Sequence, residues 1–294
     1  MQRKKRKPPE RARRIDGRLE VGEGLAVSPV CLGWVGESSV IGAAYDAGIN
    51  FFFLSADMHF PLYEAARKGL ADLLRRGRGV RENIVVGVVS YVQQPEFCHA
   101  PFRELIDAVP RLGTIDMTIA GGAYAGEFLV RLSQYRQHRV SSRSARVIPG
   151  VRATGASFHD RVATVSALNH DLVDLAFSRY NPDHPGAEED VFPHLVERRR
   201  SRLFNFNSTR GHVTDTRWKE LGLGREQWHP KVIDHYRFAL RRPEIDGILC
   251  GLENVAELEA LEAAFRAGGV TEEEAEYMRD LADLAAGRRE LARD

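Results

Sequence analysis

Gly48-Ile49-Asn50-Phe51-Phe52-Phe53-Leu54-Ser55-Ala56-Asp57-Met58-His59-Phe60 is the stretch from which the fold is read. A short apolar run, Phe51 to Leu54, lies between a turn glycine and a polar exit. Such a run fits a strand covered on both faces, with its aromatics filling a barrel on one side and meeting helices on the other. Seven similar runs accompany it, so eight strands are expected near Val27–Gly33, Ile49–Leu54, Ile84–Ser90, Ile115–Ala120, Val147–Arg152, Leu172–Phe177, Arg202–Phe206 and Gly247–Cys250. Helical periodicity fills the intervals. Leu62, Ala65, Ala66, Leu70 and Leu73 share one face of Leu62–Leu74, and Phe102–Val109, Gly126–Tyr135, Asp160–Leu168, Val191–Arg198, Lys231–Arg241 and Val255–Ala267 read similarly. Alternation of this kind implies parallel strands joined by right-handed crossovers. Eight such units close into a (β/α)8 barrel.

The surroundings agree. The chain has 294 residues, and such a barrel takes about 250. A doubly wound sheet would want a G-x-G-x-x-G loop after its first strand, and Cys31-Leu32-Gly33-Trp34-Val35-Gly36 lacks that spacing. Residues 14–27 read as an N-terminal β-hairpin turning at Asp16-Gly17 or Glu23-Gly24. Thr271 with Glu274 reads as the capping box of an extra C-terminal helix over Glu272–Arg288. The domain expectation is a basic arm, 1–14, ahead of one barrel, 15–294.

Charge is uneven. Residues 1–14 carry eight Lys/Arg and one Glu, so a chain of net +1 has a mildly acidic body. The arm reads as a solvated tail. Nucleic acid is disfavoured as a partner, because nothing downstream resembles a nucleic-acid module. No apolar run approaches the ~20 residues of a membrane span, and no secretory h-region is visible. Cys31, Cys98 and Cys250 are far apart and odd in number, which suits a reducing cytoplasm.

Several segments together resemble the aldo-keto reductases. They are Gly22 to Gly33, Ala47 to Asp57, Glu64 with Ala66-Arg67-Lys68-Gly69-Leu70, Ile115-Asp116-Met117, Val151 to Phe158, Tyr180-Asn181, Arg210-Gly211 and Ile248 to Leu258. Each motif alone is weak; eight in order at family-like spacing are not. The resemblance implies the barrel fold and NADPH-dependent carbonyl reduction by a Tyr-Lys-Asp-His tetrad. Carried onto this chain, the Asp falls at Leu54, the Tyr at His59, the Lys at Val89 or Ser90, and the His at Gly121. With no inserted residue in Phe51–Phe53, the first two fall at Phe53 and Met58 instead. Neither reading restores the tetrad. The family's nicotinamide contacts fall at Ser157, Phe158, Phe177 and Asn205, and its phosphate grip at Gly251 to Asn254, where Glu253 would repel a phosphate. Asn181, Arg210 and Asn254 complete the residues that an NAD(P) cofactor would require, so an NADP(H) site is eroded. The C-terminal tail resembles a branch whose tail carries an iron–sulfur segment, but the cysteines are missing and no cluster is expected.

Active sites of this fold lie at the C-terminal ends of the strands. His59 and Asp57 are expected there, with Tyr91, Cys98 and His99 after the third strand. Gly121, Gly122 and Tyr124 follow the fourth, and Ser157, His159 and Asp160 the fifth. Tyr180, Asn181, Asp183 and His184 follow the sixth, Asn205, Asn207, Arg210 and His212 the seventh, and Glu253 the eighth. Imidazole ionises nearest neutrality and is the natural replacement for a proton-donating Tyr. His59, Asp57, Tyr91 and His159 are therefore the candidate catalytic residues. His59, His99 and Cys98 are the candidate ligands should a zinc, iron or copper ion bind, although no preformed metal spacing is present. Gly121-Gly122 leaves room where the family keeps a catalytic His, for a larger ligand or a moved loop. More ordinary roles stand beside these: Asp160 as a helix N-cap, Asp183 and His184 within a Pro182–Gly186 turn, Cys98 as an exposed thiol, Cys31 and Cys250 as buried strand residues, and Arg198–Arg202 as the end of a helix.

Four functions remain open: an aldo-keto-reductase-like enzyme of altered chemistry acting on a small-molecule or peptide-derived substrate; an NAD(P)H-linked oxidoreductase with His59 as proton donor; a metal-dependent or cofactor-free cyclase, lyase or isomerase; and a non-catalytic binding protein. Oligomeric state is left open.

Overall fold

Phe51–Ser55 is a strand buried along its whole length. Phe51 and Phe53 pack into the barrel interior with Val89, Met117, Ile119 and Phe177. Phe52 and Leu54 face the surrounding helices, among Val40, Ile41, Ala66 and Leu70. This two-sided burial is what the apolar run required. It also corrects one assignment: a carboxylate at Leu54 would point away from the interior, so Phe53 is the residue on the inner face.

The structure is a computed structural model that describes residues 14–94, 97–123, 128–144, 148–196, 200–206, 208, 222–224 and 226–288. An antiparallel hairpin, β1 (Leu19–Val21) and β2 (Leu25–Val27), precedes eight parallel strands. These are β3 (Val30–Val35), β4 (Phe51–Ser55), β5 (Val85–Ser90), β6 (Met117–Ala123), β7 (Ala153–Phe158), β8 (Leu175–Arg179), β9 (Arg202–Phe206) and β10 (Gly247–Leu252). They close in the order β10-β3-β4-β5-β6-β7-β8-β9, a (β/α)8 barrel. The helices are α1 (Ser39–Asp46), α2 (Glu64–Leu74), α3 (Arg78–Asn83), α4 (Ala100–Ala108), α5 (Phe128–Ser144), α6 (Arg161–Asn169), α7 (Ala187–Asp190), α8 (Val232–Leu240), α9 (Val255–Ala267) and α10 (Glu272–Ala285). Among the described residues no helix is long and apolar enough to cross a membrane.

The hairpin closes the lower end. Leu19, Val21, Leu25 and Val27 are buried in the same inner cluster as Phe51, Phe204 and Leu175. Asn50 ties it down: its Oδ1 accepts from Ser28 N at 2.7 Å, and its Nδ2 donates to Ala26 O at 2.8 Å and Asn83 O at 3.3 Å. A similar device recurs at every second strand. The residue just before β6, β8 and β10 is Asp116, Asp174 and Asp246. Each carboxylate accepts a backbone N–H from the preceding strand: Val86, Thr154 and Leu203, all at 2.8 Å. Side chains thus satisfy the amides at the strand starts, which a barrel rim would otherwise leave unpaired.

Several expectations need correction. The fifth barrel strand is Ala153–Phe158, not Val147–Arg152. Pro149 and Gly150, the latter at φ 89°, make a turn there, and the small residues of Ala153–Ser157 hid the strand because they lack the usual β-branched signal. The helix expected over Val191–Arg198 is replaced by α7 and a 3-10 turn, Phe192–His194, with Pro193 in its first turn. Arg202 accordingly belongs to β9 and ends no helix. Helices α1 and α3 were not anticipated. The hairpin, α9 and the capping box on α10 agree with expectation: Thr271 Oγ1 accepts from Glu274 N at 3.1 Å, and Glu274 Oε2 from Thr271 N at 2.7 Å. Residues 1–13 of the basic arm lie outside the described residues.

Candidate active site at the barrel mouth

The β4 strand ends at Ser55, so Asp57 and His59 leave it as a loop. Asp57 fastens that loop. Its Oδ2 accepts from Ser90 Oγ at 2.5 Å and from Tyr91 N at 2.8 Å, while Oδ1 accepts from Met58 N at 2.6 Å. Three hydrogen bonds to one carboxylate lock the exit of β4 to the exit of β5. Asp57 thereby fixes the loop that carries His59 against the segment that carries Tyr91.

Tyr91 is set by this clamp. Its ring meets the ring of His59 edge to face, with centroids 5.3 Å apart. Its other side fills the space beside Gly121: a Cβ there would lie 2.6 Å from the Tyr91 ring. The expected room at Gly121 is therefore occupied by an aromatic ring. Burial, and secondarily the Asp57 carboxylate, raises the Tyr91 phenol above its ordinary range, against a smaller opposing effect of Arg131. The phenol stays protonated at neutral pH and can donate a hydrogen bond.

Arg131, on α5, is buried behind this pair. Its Nη1 donates to Gly121 O at 2.9 Å and its Nη2 to Ser90 O at 3.3 Å. Tyr135 Oη donates to the same Ser90 carbonyl at 3.2 Å. A guanidinium held by two strand-end carbonyls fixes the β5 and β6 exits together. Nothing in the sequence singled out Arg131. Tyr63 also escaped notice: it reaches the mouth from the 3-10 turn Phe60–Tyr63 and lies against Phe53, centroids 6.0 Å apart. Burial raises its phenol as well. Phe53 meets Phe177 at 5.6 Å, and His159 meets Phe206 at 5.6 Å. Aromatic rings thus gather toward the strand ends, Phe53 with Tyr63 and Phe177, Tyr91 with His59, and Phe206 with His159.

The residues that a nicotinamide cofactor would need are engaged elsewhere. Ser157 Oγ accepts from Gly122 N at 3.1 Å. Asn205 uses both ends of its amide, accepting from Tyr180 N at 2.8 Å and donating to Ser208 Oγ at 2.6 Å. Asn181 Oδ1 accepts from His184 N at 2.8 Å within a turn, and Asn254 caps α9 by accepting from Glu257 N at 3.2 Å. Phe158 faces the helices. Among the described residues, these bonds leave a dinucleotide only part of the hydrogen-bonding capacity it would need. Arg210, with Tyr124, Asn207, Gly211 and His212, lies outside the described residues.

Nor do the metal candidates assemble. Cys98 is buried rather than exposed, and its Sγ lies 3.4 Å from His138 Nε2. Burial, with the nearby charge of His99, lowers the His138 imidazole to about 4. Among the described residues no group of three His, Cys, Asp or Glu side chains could hold a metal. Cys31 and Cys250 are buried, as expected, and burial raises both thiols. Asp160 is the N-cap of α6, accepting from Ala163 N at 3.0 Å. Asp183 pairs with Arg288 at 2.7 Å. A polar cleft of about 590 Å³ lies at the opposite end, beside the hairpin, lined in part by Arg18, Asn50, Glu82 and Arg152, and holds none of these groups.

No protein-family model matches the chain, and no curated protein matches it. Solved structures do. It is similar to the holo form of aldo-keto reductase AKR11C1 from Bacillus halodurans at 14% identity and TM-score 0.64, over 90% of this chain and 96% of that one. It is also similar to the glycerol dehydrogenase AKR11B4 from Gluconobacter oxydans, at 13% identity and TM-score 0.64, over 95% and 99%. The thermostable aldo-keto reductase Tm1743, solved with the inhibitor epalrestat, matches at 13% and 0.63, over 90% and 99%. At these identities the likeness speaks for architecture, and the architecture of this chain is that of the aldo-keto reductases.

Proposed function

We propose that this protein is a divergent enzyme of the aldo-keto reductase superfamily, whose mouth performs acid–base chemistry on a small-molecule or peptide-derived carbonyl compound. The ordered motifs and the shared architecture support the ancestry. The chemistry rests on one observation: Tyr91 fills the space beside Gly121 and presents its ring to His59 at 5.3 Å. In this reading the protonated Tyr91 phenol donates a hydrogen bond to the substrate carbonyl oxygen. His59 takes a proton from the adjacent carbon and returns it to the same or another atom. The reaction class is enolisation, with isomerisation, cyclisation or elimination as its outcomes. Each balances without an oxidant or reductant. Asp57 and Arg131 position the pair and touch no substrate. Localisation in the cytoplasm fits three cysteines that form no disulfide.

A panel of aryl ketones in D2O, followed by NMR, tests this. Wild-type protein should speed hydrogen–deuterium exchange next to the carbonyl. His59→Ala should slow it by about 10²-fold or more, and Tyr91→Phe by about tenfold or more. Exchange unaffected by His59→Ala would sink the assignment. The architecture itself favours a second reading, an NAD(P)H-linked reductase with His59 as donor. Fluorescence titration with NADPH separates the two, since tight binding together with ketone reduction would establish the reductase.

A further inference from the structure

Tyr63 and Tyr91 both pack on the apolar cluster that fills the barrel. Tyr63 lies against Phe53 of β4, and its Cε1 would stand 3.6 Å from a Cβ at Gly33 of β3. Tyr91 follows the neighbouring strand, β5, and stands between Gly121 and His59. Burial raises the Tyr63 phenol, and nearby Tyr91 raises it further. The three fully buried tyrosines all use their hydroxyls: Tyr135 donates to Ser90 O at 3.2 Å, Tyr180 to Glu188, and Tyr236 to Gly251 O at 3.1 Å. Tyr63 and Tyr91 do not. Neither hydroxyl has a hydrogen-bond partner among the described residues, and neither is sealed from solvent. A tyrosine ring set on an apolar core with an unused hydroxyl carries a donor that the fold itself does not need. The turn that bears Tyr63 is tied down. Phe60 N donates to Asp57 O at 2.8 Å and Leu62 N to His59 O at 3.0 Å. Arg67 donates to the Phe60 carbonyl and holds its guanidinium 3.6 Å over the Phe60 ring. His59 and Tyr63 therefore ride on one fixed segment.

We propose that Tyr63 is a second catalytic residue, whose hydroxyl joins that of Tyr91 in donating to one substrate oxygen as that oxygen gains negative charge. This deepens the acid–base reading and rests on it. A carbonyl oxygen has two lone pairs and accepts two donors. When His59 takes the proton from the adjacent carbon, the C–H electron pair moves into the C–C bond. The carbonyl π pair moves onto oxygen, and an enolate forms. Return of the proton from His59 completes the step with no electron gained or lost. Donors already in place stabilise the enolate oxygen without reorganising. Both phenols are raised by burial, so each still holds the proton it must share at neutral pH. The apolar cluster beneath them lowers the local dielectric and strengthens both hydrogen bonds. A phenylalanine would fill the same space against Phe53; the hydroxyl adds only the donor.

Tyr63→Phe keeps the ring and removes the donor. In the D2O exchange assay it should slow exchange by about tenfold or more, matching Tyr91→Phe, with the thermal midpoint unchanged. Titration with 4-nitrophenolate, an oxyanion, and with 4-nitroanisole, its neutral methyl ether, reads the same donors without turnover. Tyr63→Phe and Tyr91→Phe should each weaken phenolate binding by about tenfold and leave the ether unchanged. A wild-type protein that does not prefer the phenolate would overturn the inference, as would a Tyr63→Phe variant that binds it equally well. If exchange depends on His59 and Tyr91 but not on Tyr63, this inference fails and the acid–base reading stands. If exchange is independent of His59, that reading fails, and the phenolate titration alone decides whether the two hydroxyls share an anion.

Discussion

Gly121 and Tyr91 are best understood as one unit. The glycine gives up a side chain, and the tyrosine from the neighbouring strand end moves into the vacated space. Gly121→Ala should therefore destabilise the protein by about 1–3 kcal/mol, since a Cβ would sit 2.6 Å from the Tyr91 ring. In a Tyr91→Ala background the same change should cost little. Urea melts of the four proteins give the coupling directly, and additive costs would show that the ring does not depend on the gap. Half of this pair was legible in sequence. Gly121 stood out because a family position had lost its side chain, and Tyr91 because it followed a strand. Their contact was not legible, because it depends on how β5 and β6 are staggered. Tyr63 and Arg131 were missed for a related reason: each arrives at the mouth from an element outside the strands, where spacing along the chain says nothing about reach.

At the level of elements, the barrel is stitched by residues that stand just before alternate strands. Asn50, Asp116, Asp174 and Asp246 each tie the start of one strand to the strand or segment before it. Asp116 also holds Arg81 at 3.0 Å and Arg152 at 3.1 Å. Asp116→Ala should cost about 3 kcal/mol, because it takes the anionic partner from a largely buried Arg81, which keeps its bonds to Leu112, Ile84 and Thr114, and leaves the Val86 amide unpaired. Asp116→Asn should cost less, since one oxygen remains to accept from Val86 N. Thermal or chemical melts of the two variants rank these costs, and equal losses would argue against the amide bond as the main contribution. The strands with β-branched or aromatic runs, β4, β5 and β9, were readable within a residue or two. The β7 strand was not, because Ala153-Thr154-Gly155-Ala156-Ser157 resembles a turn as much as a strand. Its place is set by its neighbours, with Gly155 opposite Ile119 on one side and Leu175 on the other.

For the whole molecule, the clearest consequence of packing is a dependence on acid. His138 and His235 are buried, and burial chiefly lowers both to about 4. Unfolded histidine titrates near 6.5, so the unfolded chain binds protons that the folded one refuses. Stability from both groups is complete above about 6.5 and is lost as pH falls toward 4, by up to roughly 3 kcal/mol each. Urea midpoints between pH 7 and 4.5 should fall accordingly, and His138→Gln should flatten the decline; a flat profile in the parent protein would contradict it. The closed shape has a kinetic side as well. Leu19, Val21, Leu25 and Val27 stop the lower end of a barrel whose interior is packed with side chains, so a ligand at the strand ends has no way through to the other side. On the proposed function, a compound transformed at the mouth backs out along the path by which it came. Product and the next substrate then compete for the same passage, and slow departure throttles turnover however fast the bonds rearrange.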